Sequence, residues 1–313
     1  MPPIAAGKLT RLLYPYERGK LDDYEFTVRT KTGSPFSGNT RDFHAHPLAV
    51  RGYGEWRNWA IAMALCEPGD VIVEAGANVG TETVGYSDIA GARGRVVAFE
   101  PLPSNQAAVE RLLPALDHPN VTLLPYALSD RSGTTRFAVP PPYMSQGTGH
   151  LLGAEEQRVE TTIYYYEPVE MELIEVECRP LDELAAEVHG MRLLLADVEG
   201  AEVSLLRGAR HVLEANRPAL VLEASHPHLR RAGLKGVEDL QDELVGLRYR
   251  AFEIGRLDLI EVNSSAASSQ YSHNWLCLPE ERMELLGLAR SSLRLCGLTP
   301  CIMHLNPMTR VAV

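Results

Sequence analysis

Blocks of apolar residues separated by polar, helix-compatible stretches recur through the middle of the chain. Val71-Ile72-Val73-Glu74-Ala75 is a short apolar run closed by Gly76-Ala77-Asn78-Val79-Gly80, with a helical stretch over 81–89 behind it. β-Branched residues ended by glycines are the pattern of a fully buried parallel strand feeding a strand-to-helix turn. The run repeats at 95–99, ends in Glu100-Pro101, and is followed by a helix over 105–116 and a third strand over 121–126. After an interruption come a strand over 192–196, a helix over 203–216 and a strand over 219–222. Runs at 249–254 and 274–278 complete seven strands, the last two expected as antiparallel neighbours at one edge. Repeated strand–helix units predict a doubly wound α/β sheet, mostly parallel, with its ligand at the carboxyl ends of the strands.

The flanks follow a different pattern. Residues 1–69 read as an N-terminal extension of loops with two short strands, one over 24–28, then a lead-in helix over 55–65 that Pro68-Gly69-Asp70 stops. Residues 70–278 form the main domain. Within it, about 133–190 is a β-rich insertion, with strands over 134–139 and 170–178 and a helix over 181–189. A connection of that length inside a compact domain is usually a functional lid. Tyr143 and Tyr164-Tyr165-Tyr166 could wall an acceptor there, or belong to an ordinary edge strand. Residues 279–313 give a helix and a tail.

The turn after the first strand carries the first chemistry. Gly76 permits a backbone turn that a Cβ would obstruct, and Gly80 lets a helix or a ligand approach the strand. Glu100 stands about 20 residues on, at the end of the second strand, where a doubly wound sheet places its ribose acceptor. A dinucleotide site needs Gly-x-Gly-x-x-Gly, since pyrophosphate must sit against backbone N–H groups. Here Asn78 and Val79 occupy the middle of the turn, and Glu74 would repel a pyrophosphate. That carboxylate suits the ammonium of a methionine moiety instead. S-adenosylmethionine fits better than NAD. Ala127-Leu128-Ser129-Asp130, after the third strand, lies where an adenine ring would rest.

Composition narrows the partners. A formal charge of −11 opposes general binding of nucleic acid or anionic membranes, and a 45% hydrophobic fraction supports an ample core. Five scattered cysteines with no Cys-x-x-Cys pair indicate neither a disulfide framework nor a zinc site, so a reduced cytoplasm is the expected location. No apolar stretch reaches membrane-spanning length. His44 and His46 in Phe43-His44-Ala45-His46-Pro47 have no third ligand nearby, and no metal is expected.

Together the stretch 71–80, Phe99-Glu100-Pro101, Ala127-Leu128-Ser129-Asp130 and Asp197-Val198-Glu199-Gly200-Ala201-Glu202 resemble the FkbM-type S-adenosylmethionine-dependent methyltransferases over about residues 52–278. The resemblance implies the class I, Rossmann-like methyltransferase sheet. It also implies O-methylation of a sugar or natural-product hydroxyl, with S-adenosylhomocysteine as product. Its implied cofactor residues are Glu74, Gly76, Ala77, Asn78, Gly80, Glu100, Pro101, Ala127 and Asp197. Two positions depart from the family: Glu74 replaces the usual Asp, and Leu195 stands where a Lys is usual. No motif matches in the first 50 residues, so these are expected to cap the site and choose a small-molecule or glycan acceptor. A homodimer is left open.

The donor is already activated, so the protein chiefly aligns the acceptor and removes its proton. Asp197, Glu199, Glu223 and His226 are the groups expected to converge there, with His226 preferred as base because imidazole titrates near neutral pH. Glu202 is expected to support the start of the helix that follows it. N- or carboxyl-methylation, an NAD(P)-binding oxidoreductase and a silent adenosyl-binding module are the alternatives.

Overall fold

Each apolar run of the main domain forms a strand, and an eighth strand joins them. The computed structural model describes residues 3–141, 149–152, 160–161, 169–262 and 273–299. The central strands are β1 Val71–Ala75, β2 Arg95–Phe99, β3 Val121–Leu124, β4 Met191–Ala196, β5 Ala219–Ala224, β6 Tyr249–Ile254, β7 Leu259–Glu261 and β8 His273–Pro279. They lie side by side as β7-β6-β8-β5-β4-β1-β2-β3. β1 to β5 are parallel, whereas β8 runs antiparallel between β5 and β6. The last two predicted strands therefore do pair, but not at the edge. After β6 the chain turns back through Gly255, whose N–H meets Asp258 O at 2.9 Å, and the extra strand β7 takes the edge.

Alternation along the strands divides the core in two. Leu193 and Leu195 face one side, with Trp59, Ile61, Tyr86 and Leu293 of the covering helices. Leu194 and Ala196 face the other, with Leu205, Leu206, Leu213 and Leu240. A sheet apolar on both faces must be covered on both, which is why its strands read as continuous hydrophobic runs.

Two helix predictions need correction. The expected helix over 203–216 is two, Glu202–Arg207 and Arg210–Asn216. Gly208 interrupts it, packed so closely on the Ser129 carbonyl that a Cβ there would collide. Its own carbonyl accepts from Asp182 N–H at 2.9 Å, and the Asp182 carboxylate caps the second helix at His211 and Val212 N–H. The expected helix over 181–189 is only a 3-10 turn, Leu181–Leu184, followed by turns.

The N-terminal segment holds more helix than its sequence suggested. Helices Pro3–Leu13, Tyr16–Asp22 and His46–Arg51 surround a hairpin of Glu25–Arg29 with Pro35–Asn39. The β-rich insertion builds a separate four-stranded sheet, in which Glu172–Arg179 pairs with Gly133–Val139 and with Ala127–Leu128. Tyr143 and Tyr164–Tyr166 lie outside the described residues. Cys66, Cys178, Cys277 and Cys296 are buried free thiols. Among the described residues no helix is long and apolar enough to cross a membrane.

Candidate active site

Strand register sets out the site. Ala75 pairs with Phe99 on one side and Ala196 on the other, and Ala196 pairs with Leu222. The next residue of each strand therefore falls in one row at the carboxyl edge: Glu100, Gly76, Asp197 and Glu223. β8 adds Asn274 opposite Glu223 and His273 opposite Ala224. The strand order reverses between β1 and β4, at the middle of this row, and that crevice is where such sheets bind ligands.

Two cavities open there and share Ala75, Gly76, Asn78 and Asp197. The smaller is lined by Glu100, Pro101, Asn105, Tyr126 and Ala127, with Phe137, Gly149 and Leu151 of the insertion over it. The larger, about 450 Å³, is lined by Glu74, Ala77, Glu82, Tyr86, Leu195 and Glu223. Phe43, His44, Glu55, Arg57, Asn58, His273 and Asn274 complete it.

The turn is rigidly built. Gly76 and Ala77 N–H both donate to Phe99 O, at 2.9 and 3.0 Å. Asn78 takes a left-handed backbone, φ 51°, and its N–H donates to Glu100 Oε2 at 2.7 Å. Leu102 N–H donates to Glu100 Oε1 at 2.9 Å. The Glu100 carboxylate is thus fixed in the wall, and burial raises its pKa to about 7.

Glu74 is buried under the turn, with the Thr83 hydroxyl donating to Oε2 at 2.6 Å. Burial, opposed by that hydrogen bond and aided by the charges of Glu82 and Glu100, raises its pKa to about 8. Glu82 stands beside it, accepting from Asn58 Nδ2 at 3.2 Å and from the Tyr86 hydroxyl, with a pKa raised to about 7 mainly by burial.

A raised carboxylate pKa makes the folded state bind a proton that the unfolded chain has released. Glu74 should therefore cost ligand-free protein stability as pH climbs from 4.5, its ordinary value, to about 8. Thermal melting across that window should show a shallower decline in Glu74→Gln than in wild type. Parallel profiles would contradict this.

Of the residues expected to hold a cofactor, Glu74, Gly76, Ala77, Asn78, Glu100, Pro101, Ala127 and Asp197 line one or both cavities. Gly80 does not. It packs on the following helix, where a Cβ would lie 2.8 Å from Leu112 Cδ1. Glu223 lines the larger cavity but His226 lines neither. As the first residue of its helix, His226 turns away to the loop at 236–238, with Nδ1 3.4 Å from Val237 N and 3.7 Å from Glu238 Oε2. His228 also lines neither cavity, but it turns the other way and stands behind the site, Nδ1 lying 3.0 Å from both Glu223 Oε2 and Glu199 Oε2.

Glu199, Glu223 and His228 offer donor atoms within 4.8 Å of one another, a spacing a cation could use. The hydrogen bond from His228 to Glu223 accounts for that spacing without a metal. Glu202 folds back to accept from Val198 and Gly200 N–H at 3.2 and 3.4 Å, tethering the loop ahead of its helix. His44 reaches the cavity wall, whereas His46 is buried and stacks on Tyr14 at 5.4 Å.

The sequence profile of the methyltransferase FkbM domain matches residues 74–254, more than half of the chain. The chain belongs to that family. Its cofactor is S-adenosylmethionine. No curated protein matches the chain. Among solved structures it is similar to methyltransferase FkbM from Methylobacillus flagellatus, at 15% identity and TM-score 0.41. That alignment covers 67% of this chain and 44% of the other, so the chain spans less than half the length of that relative. It is also similar to precorrin-6y C5,15-methyltransferase from Geobacter metallireducens, at 14% identity and TM-score 0.40 over 72% of this chain and 87% of the other. Aeropyrum pernix fibrillarin, solved with natively bound S-adenosyl-L-methionine, aligns at 15% identity and TM-score 0.39 over 81% and 93%.

The FkbM-family residues fit that cofactor. Gly76 leaves the turn open, Glu100 presents a fixed carboxyl group to the smaller cavity, and Glu74 with Glu82 forms a buried acidic corner that an ammonium group would draw into its charged form. Leu195, in place of the family's usual lysine, contributes an apolar patch to the larger cavity's wall. Sequence reading missed Glu82, His228 and Phe137. Only His228 had a signal, since it lies in the same Ser-His-Pro-His segment that drew attention to His226.

Proposed function

We propose that this chain methylates a hydroxyl group of a sugar or a sugar-bearing natural product. The observation that carries the reading is the wall of the larger cavity. Beside Asp197 it offers hydrogen-bonding groups on several sides: Glu55, Arg57, Asn58, Glu223, His273 and Asn274. A polyhydroxylated acceptor can exchange hydrogen bonds with such groups, whereas an apolar one would displace water from them and return none. Phe43, His44 and Pro47 bring the N-terminal segment into the same wall, which supports a role for that segment in selecting the acceptor.

When bound, S-adenosylmethionine supplies an activated methyl group, so the protein's own work is positioning and proton removal. Glu74 and Glu82 would hold the ammonium end and Glu100 the ribose hydroxyls. Phe137 and Leu151 would cover the adenine side. Gly76, Asn78 and Asp197, common to both cavities, would surround the centre.

The test is transfer of radiolabelled methyl from S-adenosylmethionine to a panel of methyl glycosides, primary amines and carboxylic acids. Label is expected in glycosides, as alkali-stable ethers. Label confined to amines, or to base-labile esters, would overturn the hydroxyl assignment.

A further inference from the structure

Glu223 lies at the carboxyl end of β5, in the row that contains Asp197, and its carboxylate borders the larger cavity. Behind it His228 is 1% exposed. With Nδ1 3.0 Å from an oxygen of each acid, we assign the ring proton to it, so that Nδ1–H donates to Glu223 Oε2 and also faces Glu199 Oε2. Glu199 is held in place in turn. It sits in left-handed backbone at φ 55°, its carbonyl accepts from Arg231 Nη2 at 2.8 Å, and its carboxylate lies 3.7 Å from the same guanidinium.

The groups around this chain are Asp197, Glu199 and Glu202 from the β4 loop, His228 and Arg231 from the helix His226–Arg231, and His273 from β8. Burial, with the charge of Glu223 second, pushes Asp197 and Glu199 well above the ordinary carboxylate range. Glu223 both faces the larger cavity and accepts an imidazole N–H.

We propose that Glu223 is the base that takes the acceptor's proton, and that His228, backed by Glu199, is the positioning residue that aims and steadies its carboxylate. This rests on the hydroxyl-methylation reading above. The acceptor's O–H bond breaks and its proton passes to Glu223. The oxygen's electron pair forms the O–CH₃ bond, while the S–CH₃ pair returns to sulfur and cancels the sulfonium charge. The imidazole keeps its Nδ1 proton throughout.

The experiment uses the full chain with the methyl glycoside that accepts label best. Glu223→Gln should lower kcat roughly 10²–10⁴-fold and leave calorimetric affinity for S-adenosylhomocysteine unchanged. His228→Ala should lower kcat more than it alters KM and move the acid limb of the rate profile to higher pH. His228→Asn, whose amide can donate from about the Nδ1 position, should recover part of both effects and guards against misfolding of the alanine variant. In NMR of the imidazole groups, the His228 Nδ1–H signal should shift in Glu223→Gln without any acceptor present. His226→Gln should turn over like wild type.

Wild-type turnover in Glu223→Gln, an unmoved acid limb in both His228 variants, or a collapse of turnover in His226→Gln would overturn the proposal. Loss of activity on chelation with recovery in Mg²⁺ would also overturn it, by making the cluster a cation site. If none of the hydroxyl acceptors takes label, the hydroxyl reading itself falls and the base assignment falls with it.

Discussion

Gly76→Val should abolish measurable S-adenosylmethionine binding and lower the stability of the fold. Gly76 has φ 88°, a backbone region that β-branched residues scarcely enter. A Cβ there would also collide with the Asp197 carbonyl oxygen. That collision falls at the seam between β1 and β4, where Asp197 N–H donates to Ala75 O at 3.1 Å and both cavities meet. Relief requires the two strand ends to part, which displaces Asp197 and Asn78 together. Strain and a broken close contact of this kind cost about 2 kcal/mol or more. Calorimetry and urea unfolding on the same preparation check both halves. Wild-type affinity in a variant of wild-type stability would mean the turn does not touch the cofactor.

Glu100→Ala should weaken S-adenosylmethionine binding by about 1.5–3 kcal/mol, roughly 10- to 150-fold, with little effect on kcat at saturation. The carboxylate is pinned by Asn78 and Leu102 N–H, so its orientation into the smaller cavity is set before any ligand arrives. Removing it deletes the ribose acceptor and also leaves those two N–H groups without their partner, which is why the effect should exceed that of one ordinary hydrogen bond. Asn105 Nδ2, 3.2 Å from Asn78 Oδ1, should keep the turn folded in the variant. Titration of the variant with S-adenosylhomocysteine gives the number. Unchanged affinity would remove the ribose role from Glu100.

The main sheet was legible because its strands are buried on both faces, which writes them as uninterrupted apolar runs such as Leu193-Leu194-Leu195. The cofactor row was legible for a related reason. In a parallel sheet the residues just past each run share one edge, so Gly76, Glu100, Asp197 and Glu223 could be placed together before their register was known. What failed depended on tertiary contacts. The break at Gly208 follows from the Ser129 carbonyl and the Asp182 cap, both remote in sequence. The eighth strand follows from a tight turn at Gly255.

Helix geometry sets His226 outside both cavities. His226 and His228 lie two residues apart in one helix, so their side chains leave on opposite sides, and the sequence did not show which side faced Glu223. Glu82 was hidden because its partners Asn58 and Tyr86 come from two helices that meet only in the fold.

The central claim is that the row at the carboxyl edge binds S-adenosylmethionine and not a dinucleotide. Isothermal titration of the full chain with S-adenosylmethionine, S-adenosylhomocysteine and NAD⁺ tests it most directly. Glu74, Glu82, Glu100 and Asp197 border the two cavities; these acids offer a pyrophosphate no counter-charge and repel it wherever they ionise, whereas an ammonium group would draw Glu74 and Glu82 into their charged form. Saturable binding of the two adenosyl compounds at one site, with no heat from NAD⁺, is the predicted result. Saturable NAD⁺ binding with none from S-adenosylmethionine or S-adenosylhomocysteine would contradict the account.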